Sequence, residues 1–263
     1  MAGHMARHYF ERVGGFDVLS TSRDRSDAST IYLNVTKEGE LEELIMRTGP
    51  DVVINGTGLL NDVAEKRHDE AIRVNGLLPH RLAGLAEVFG YKFVHISTDC
   101  VFSGARGGYT EEDRPDGCTW YARTKALGEV NNAGSLTFRT SIIGPELKTD
   151  GIGLFEWFMK QRGTIPGYAN VFWTGVTTLE LAKAIHAAIL QDLSGLYHLV
   201  PPEKISKFEL LSLIRTVYGK EDVEIVESPE PRIDKSLICT RTDFRYRVPD
   251  YGTMLQELRD WTS

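Results

Sequence analysis

Three side chains, Thr98, Tyr121 and Lys125, carry the strongest chemical signal in the chain. Tyr121 and Lys125 lie four residues apart in TWYARTKALGE, a segment rich in helix formers, and 3.6 residues per turn puts both on one helix face. A free tyrosine has a pKa near about 10. An ammonium within roughly 4–6 Å favours the phenolate and lowers that value by about one to three units. Tuned in this way, Tyr121 can give a proton to a carbonyl oxygen as hydride reaches the carbon. Thr98 follows the apolar run Phe93, Val94 and Ile96, where a buried strand should emerge. Its hydroxyl can bond the same oxygen and hold the carbonyl in place. The Tyr–Lys spacing alone equally describes a surface lysine beside a half-buried tyrosine. The strand-end STDCVFSG upstream turns the reading toward a proton relay for carbonyl chemistry.

The elements that must position these groups alternate. Ala2 to Arg12 reads as a helix stopped by Gly14 and Gly15, and Phe16 to Ser20 as a strand. Thr30 to Asn34 is a short strand and Glu40 to Arg47 an amphipathic helix. Asp51 to Asn55 is an apolar strand that runs into Gly56, Thr57 and Gly58, small residues that let a nucleotide lie against strand ends. Asp69 to Phe89 forms one or two helices, and Tyr91 opens the strand before Thr98. Repeated βα units predict an α/β fold, a doubly wound parallel Rossmann sheet with right-handed crossovers. After its second strand, an acid would bind the ribose hydroxyls of NAD, and a basic residue would accommodate the 2′-phosphate of NADP. Arg23 stands in that place, with Asp24 one residue late. The cofactor expected is NADPH, with NAD as the second candidate.

Composition bounds the remaining classes. Of 263 residues, 41% are apolar and 25% charged, which suits a packed α/β enzyme. A net charge of −7 and the lack of a basic run argue against nucleic acid as a partner. No stretch approaches the roughly 18 apolar residues of a membrane span. The three cysteines, Cys100, Cys118 and Cys239, form no disulfide framework or zinc spacing, which fits a reducing cytoplasm. His4 and His8 have helical metal-ligand spacing but no third ligand, so no metal is expected.

HISTDCVFSG, YTEED and WYARTKALGE together resemble extended short-chain dehydrogenase/reductases of the dTDP-4-dehydrorhamnose reductase type. The resemblance covers nearly the whole chain and thins after Gly144. It implies that Thr98, Tyr121 and Lys125 are the catalytic trio. Cys100 departs from the family, which has an aromatic residue there, and this bears on the local shape of the pocket. The resemblance further implies that Asn34 and Val35 contact the adenine, with Asn in place of the usual Asp. Asn75 matches a helix asparagine that helps position the lysine through water. Gly151-Ile152-Gly153 and the aromatic run Leu154 to Met159 resemble a substrate loop and helix, although such a cluster is also simply core. Asp234 to Leu237 resembles the segment that closes the substrate pocket.

Met1-Ala2-Gly3-His4 reads as the tail of the family's glycine fingerprint, so Gly3 and His4 are expected at the cofactor. By that alignment the first strand and two glycines are absent, through an internal start, a missing upstream segment or a cloning scar. The expected consequence is two unpaired strand edges in the sheet. Residues 1–142 are expected to form the NADP-binding domain and 143–263 a small α/β substrate-binding lobe, with about 170–190 returning to the first domain.

The implied activity is transfer of hydride from NADPH to the 4-keto group of a dTDP- or UDP-linked 6-deoxy-sugar, for cell-surface polysaccharide. A nucleotide-sugar epimerase or epimerase/reductase shares the trio and stays open. So does a non-catalytic NADP-binding regulatory subunit. A cytoplasmic protein is expected, and a homodimer is left open.

Overall fold

The computed structural model describes residues 1–37, 39–146, 151 and 153–263. Its first half runs α1 (Ala2–Val13), β1 (Thr21–Ser22), β2 (Ile31–Tyr32), α2 (Glu40–Thr48), β3 (Val52–Asn55), α3 (Asn61–Lys66) and α4 (His68–Ala71). A π-helical turn (Ile72–Leu77) leads into α5 (Leu78–Phe89). Then follow β4 (Lys92–Ser97), a 3₁₀ turn (Asp99–Val101), α6 (Trp120–Leu127) and β5 (Ser135–Arg139). The second half runs β6 (Ile142–Ile143), α7 (Leu154–Lys160), β7 (Gly163–Tyr168), β8 (Val171–Trp173), β9 (Val176–Thr177) and α8 (Thr178–Leu190). It ends with β10 (Gly195–His198), β11 (Ile205–Ser206), α9 (Lys207–Val217), β12 (Val223–Ser228), β13 (Ile233–Asp234) and α10 (Tyr251–Thr262).

The central sheet is all parallel, in the order β10-β5-β4-β3. Its middle strands are buried on both faces, as helix-covered parallel strands must be: Phe93, Val94, Leu136 and Phe138 expose nothing. β10 comes from the far half of the sequence, so the return to this sheet runs on past residue 190. α8 packs against α1 on one face. The second half contributes a parallel β12–β7 pair, a three-stranded β11-β8-β13 sheet and α9, whose start is fixed by a capping box between Ser206 and Glu209.

The sheet is divided where the sequence predicts unpaired edges. β3 pairs only with β4, and β1 and β2 form a separate parallel pair among the described residues. The strand expected over Phe16 to Ser20 is not formed. β2 offers a partner only from Ser20 onward, where Ile31 N donates to Ser20 O at 2.8 Å, and a strand needs a neighbour to define it. The long segment from Asp69 to Phe89 is helical throughout but widened at Ile72–Leu77. That π turn sets Asn75 and Gly76 against α6. Two glycines let these helices touch: a Cβ on Gly76 would come within 2.9 Å of Leu127, and one on Gly128 would overlap the Asn75 carbonyl.

Candidate active site

β4 delivers Thr98 to the C-terminal edge of the sheet. Thr98 caps the following 3₁₀ turn: its hydroxyl accepts from Cys100 N at 3.1 Å and donates to Asp99 Oδ1 at 3.1 Å. α6 delivers Tyr121 and Lys125. Thr119 caps this helix by accepting from Ala122 N at 3.0 Å, and the Glu65 carboxylate accepts from Trp120 N at 2.7 Å and Tyr121 N at 3.3 Å. A carboxylate at a helix N-terminus satisfies orphan N–H groups and suits the helix dipole. Thr98, Tyr121 and Lys125 are all buried.

The electrostatics of the pair differ from the simple expectation. Burial, then the neighbouring Cys100 and Asp99, push the Tyr121 phenol above its ordinary pKa, and a hydrogen bond with Thr98 only partly opposes this. The Lys125 Nζ is engaged elsewhere: it donates to Ile96 O at 2.7 Å and lies 3.5 Å from His95 Nε2. Burial brings the Lys125 amine down to about 8, against the attraction of Glu129.

Asn75 is fully buried, and both its N–H groups are committed to protein partners. Its Nδ2 donates to Leu59 O and Thr124 Oγ1, while Oδ1 accepts from Leu59 N at 2.8 Å. It ties the loop after β3 to α6 through Thr124, the neighbour of Lys125. Thr57 N donates to Asn55 Oδ1 at 3.1 Å, which folds the exposed Gly56–Gly58 turn over the end of β3. Gly3 comes close to that turn: a Cβ on Gly56 would sit 3.3 Å from Gly3 N.

Arg23 and Asn34 meet in a hollow of about 600 Å³ together with Ser22, Asp24 and Tyr32. Arg23 is exposed and pairs loosely with Glu70 at 3.3 Å. Asn34 Oδ1 accepts from Thr36 N and Oγ1, and Arg25 stacks on Tyr32 at 3.8 Å. Val35 instead packs between two apolar clusters. His4 is not part of this group. Its ring lies 4.3 Å from that of His8 in a separate hollow lined by Glu11, Pro145, Glu146 and Trp261, because the helix turns it away from Gly3's side. Among the described residues, no three His, Cys, Asp or Glu side chains gather as a metal site.

The remaining motif residues brace the site. Glu129, from the Gly-Glu that ends the Tyr–Lys helix, grips Arg139 through two 2.7 Å bonds and accepts from Ser97 Oγ at 2.7 Å. Glu111 of YTEED accepts from His198 N, Thr240 N and Thr240 Oγ1, and so joins the sheet to the tail. Residues 234–237 clasp the 104–109 loop: Asp234 N donates to Gly104 O and Tyr109 N to Ser236 O. In the aromatic run, Phe155 and Phe158 are core while Trp157 is exposed; Ile152 lies outside the described residues.

Three residues near the trio escape a sequence reading. Glu65 and Lys207 belong to no motif and only folding brings them there, while His95 opens the HISTDCVFSG motif but carries no role in the sequence reading. Lys207 begins α9 beneath the Trp173 ring at 5.1 Å, and burial brings its amine down to about 8 against the pull of Asp99 and Cys100.

Comparison with known proteins places this geometry. Residues 3–235 match the family described as the RmlD substrate binding domain, and the chain belongs to that family. It is 28% identical over 220 residues to "Probable low-salt glycan biosynthesis reductase Agl14" of Haloferax volcanii, covering 77% of this chain and 71% of the relative. It is 29% identical over 233 residues to methionine adenosyltransferase 2 subunit beta of Bos taurus, covering 80% and 70%. The hypothetical dTDP-4-dehydrorhamnose reductase of Sulfolobus tokodaii superposes with a TM-score of 0.79 at 26% identity, over 95% of this chain and 94% of that one. The fold is that of an extended short-chain dehydrogenase/reductase, and the chain is similar to reductases of sugar nucleotides.

No helix among the described residues is long and apolar enough to cross a membrane.

Proposed function

We propose that the chain reduces the 4-keto group of a nucleotide-linked deoxy-sugar with NADPH and serves cell-surface polysaccharide synthesis. The observation that carries this reading is the hydrogen bond between the Thr98 and Tyr121 side chains, both buried at the sheet's C-terminal edge, with Lys125 on the same helix. Ligands of open α/β sheets bind at that edge.

The residues present fit a dinucleotide phosphate. Arg23, the Ser22 hydroxyl and Asn34 line one hollow at the ends of β1 and β2, suited to the adenosine end and its 2′-phosphate. The bare backbone of Gly56–Gly58 leaves room for the rest of the nucleotide along the end of β3. Bound there, NADPH supplies the hydride. Thr98 orients the substrate carbonyl, and Tyr121 gives its proton to the oxygen as the carbon is reduced. Lys125 in its ammonium form favours the phenolate left behind.

The test is incubation of the protein with a dTDP-linked 4-keto-6-deoxyhexose and NADPH carrying deuterium in the transferable position. The expected product is the 4-hydroxy sugar with deuterium at its C4. Epimerised sugar with no net loss of NADPH would instead select the epimerase, and binding of NADP without turnover would select a regulatory subunit.

A further inference from the structure

The Tyr121–Lys125 pair has a buried neighbour that the proposed reaction does not use. His95 stands in the middle of β4, fully buried and in register with Asn55 of β3. Its two ring nitrogens face different groups. Nδ1 is 3.2 Å from Asn55 Nδ2, and Nε2 is 3.5 Å from Lys125 Nζ.

The proton positions follow from one fixed donor. A backbone N–H can only donate, so the Asn55 atom that meets Thr57 N is the carbonyl oxygen. That leaves Nδ2, a donor, facing His95 Nδ1, which must accept. Burial, then the charges of Lys125 and His80, hold the imidazole neutral. A neutral ring that accepts at Nδ1 carries its proton at Nε2. This N–H is directed at Lys125. An ammonium has only donors to offer it, whereas a neutral amine has a lone pair and still donates to Ile96 O.

We propose that His95 is a positioning residue for Lys125: Thr57 and Asn55 fix its Nε2–H tautomer, and that N–H further lowers the pH at which Lys125 takes up its proton. Because Thr57 lies in the Gly56–Gly58 turn, the backbone expected to face the nucleotide is linked to the lysine through two side chains. The other charges around the pair do not supply this control. Glu129 attracts the ammonium, but its carboxylate is held by Arg139 of β5. His80 of α5 acts on the His95 ring and is itself bound to Leu127 O at 2.7 Å.

Two variants reverse the arrangement. In Asn55→Asp, a carboxylate accepts from both Thr57 N–H and His95 Nδ1–H, so Nε2 becomes an acceptor for the Lys125 ammonium. In His95→Gln, the amide can turn its oxygen to the same ammonium. Nitrogen-15 NMR reads the tautomer and the Lys125 titration directly, without reference to turnover. The expected result is Nε2–H in the unchanged protein, Nδ1–H in Asn55→Asp, and a Lys125 pKa about one unit higher in both variants. The alkaline limb of sugar reduction should move with it; this last readout alone rests on the reductase reading, so its failure beside successful NMR results would count against that reading instead. His95→Gln serves if Asn55→Asp does not fold. An Nδ1–H tautomer in the unchanged protein, or an unmoved Lys125 pKa in folded variants, overturns the proposal.

Discussion

Lys125 donates from Nζ to the carbonyl oxygen of Ile96 across 2.7 Å, and this bond draws the lysine of the Tyr–Lys pair down onto β4. The phenol of Tyr121 is left to its burial and to the acidic side chain beside it, which raise its pKa. Tyr121 is therefore a weak acid in this arrangement. We predict that NADP binding lowers its pKa, seen as tyrosinate absorbance that appears at lower pH with cofactor than without and is lost in Tyr121→Phe. Equal titration curves would show that the lysine keeps its hold on the sheet.

The same burial makes a stability prediction. The Lys125 amine falls from its ordinary value to about 8 on folding. The unfolded chain then holds more protons between pH 8 and about 10.5, so this residue's contribution to stability rises with pH across that window. Below it, burying the ammonium is a constant cost. Urea unfolding at several pH values should show a slope there that is reduced in Lys125→Met, by up to about 3 kcal/mol over the window. Parallel curves for the two proteins would mean that water reaches the amine.

Much of the site was legible in the sequence because strand-end and helix-spacing signals are local. Phe93 to Thr98 had to be a buried strand emerging at a hydroxyl, and Tyr121 and Lys125 had to share a helix face. The direction of Lys125 was not legible, since it depends on Ile96 and His95, thirty residues earlier and joined to it only through packing. The partners of Asn75 were not legible for the same reason: a π turn directs its amide to Leu59 and Thr124. The strand expected over Phe16 to Ser20 failed because a strand is defined by a neighbour that the sequence does not specify. His4 followed from register with a glycine fingerprint, but the helix carries its ring into another hollow.

The Gly128-Glu129 pair looked like a family signature and proves to be a brace. Arg139 and Glu129 are nearly inaccessible, at 4% and 9% side-chain exposure, so neither charge finds water if its partner is removed. Arg139→Leu should cost about 3–5 kcal/mol of unfolding free energy. The double variant Arg139→Leu with Glu129→Leu should recover part of that loss. A cost below about 1 kcal/mol for the single change, measured by urea denaturation, would mark the pair as solvated.

Arg23 is exposed and shares Glu70 with Arg67, an arrangement worth little in water. It can therefore exchange that partner for a phosphate. The protein should use NADPH in preference to NADH, and Arg23→Ala should reduce the ratio of kcat/KM values by about 10–150-fold. Equal use of both cofactors before the mutation would make Arg23 a surface residue only.

Tyr121→Phe tests the central claim most directly, because it removes one oxygen and leaves the ring packing in place. Single-turnover reduction of a dTDP-linked 4-keto-6-deoxyhexose by bound NADPH should slow by about 10²–10⁴-fold, while NADPH affinity stays nearly unchanged. Hydride transfer at the unaltered rate in Tyr121→Phe would contradict the account and remove Tyr121 from the chemistry.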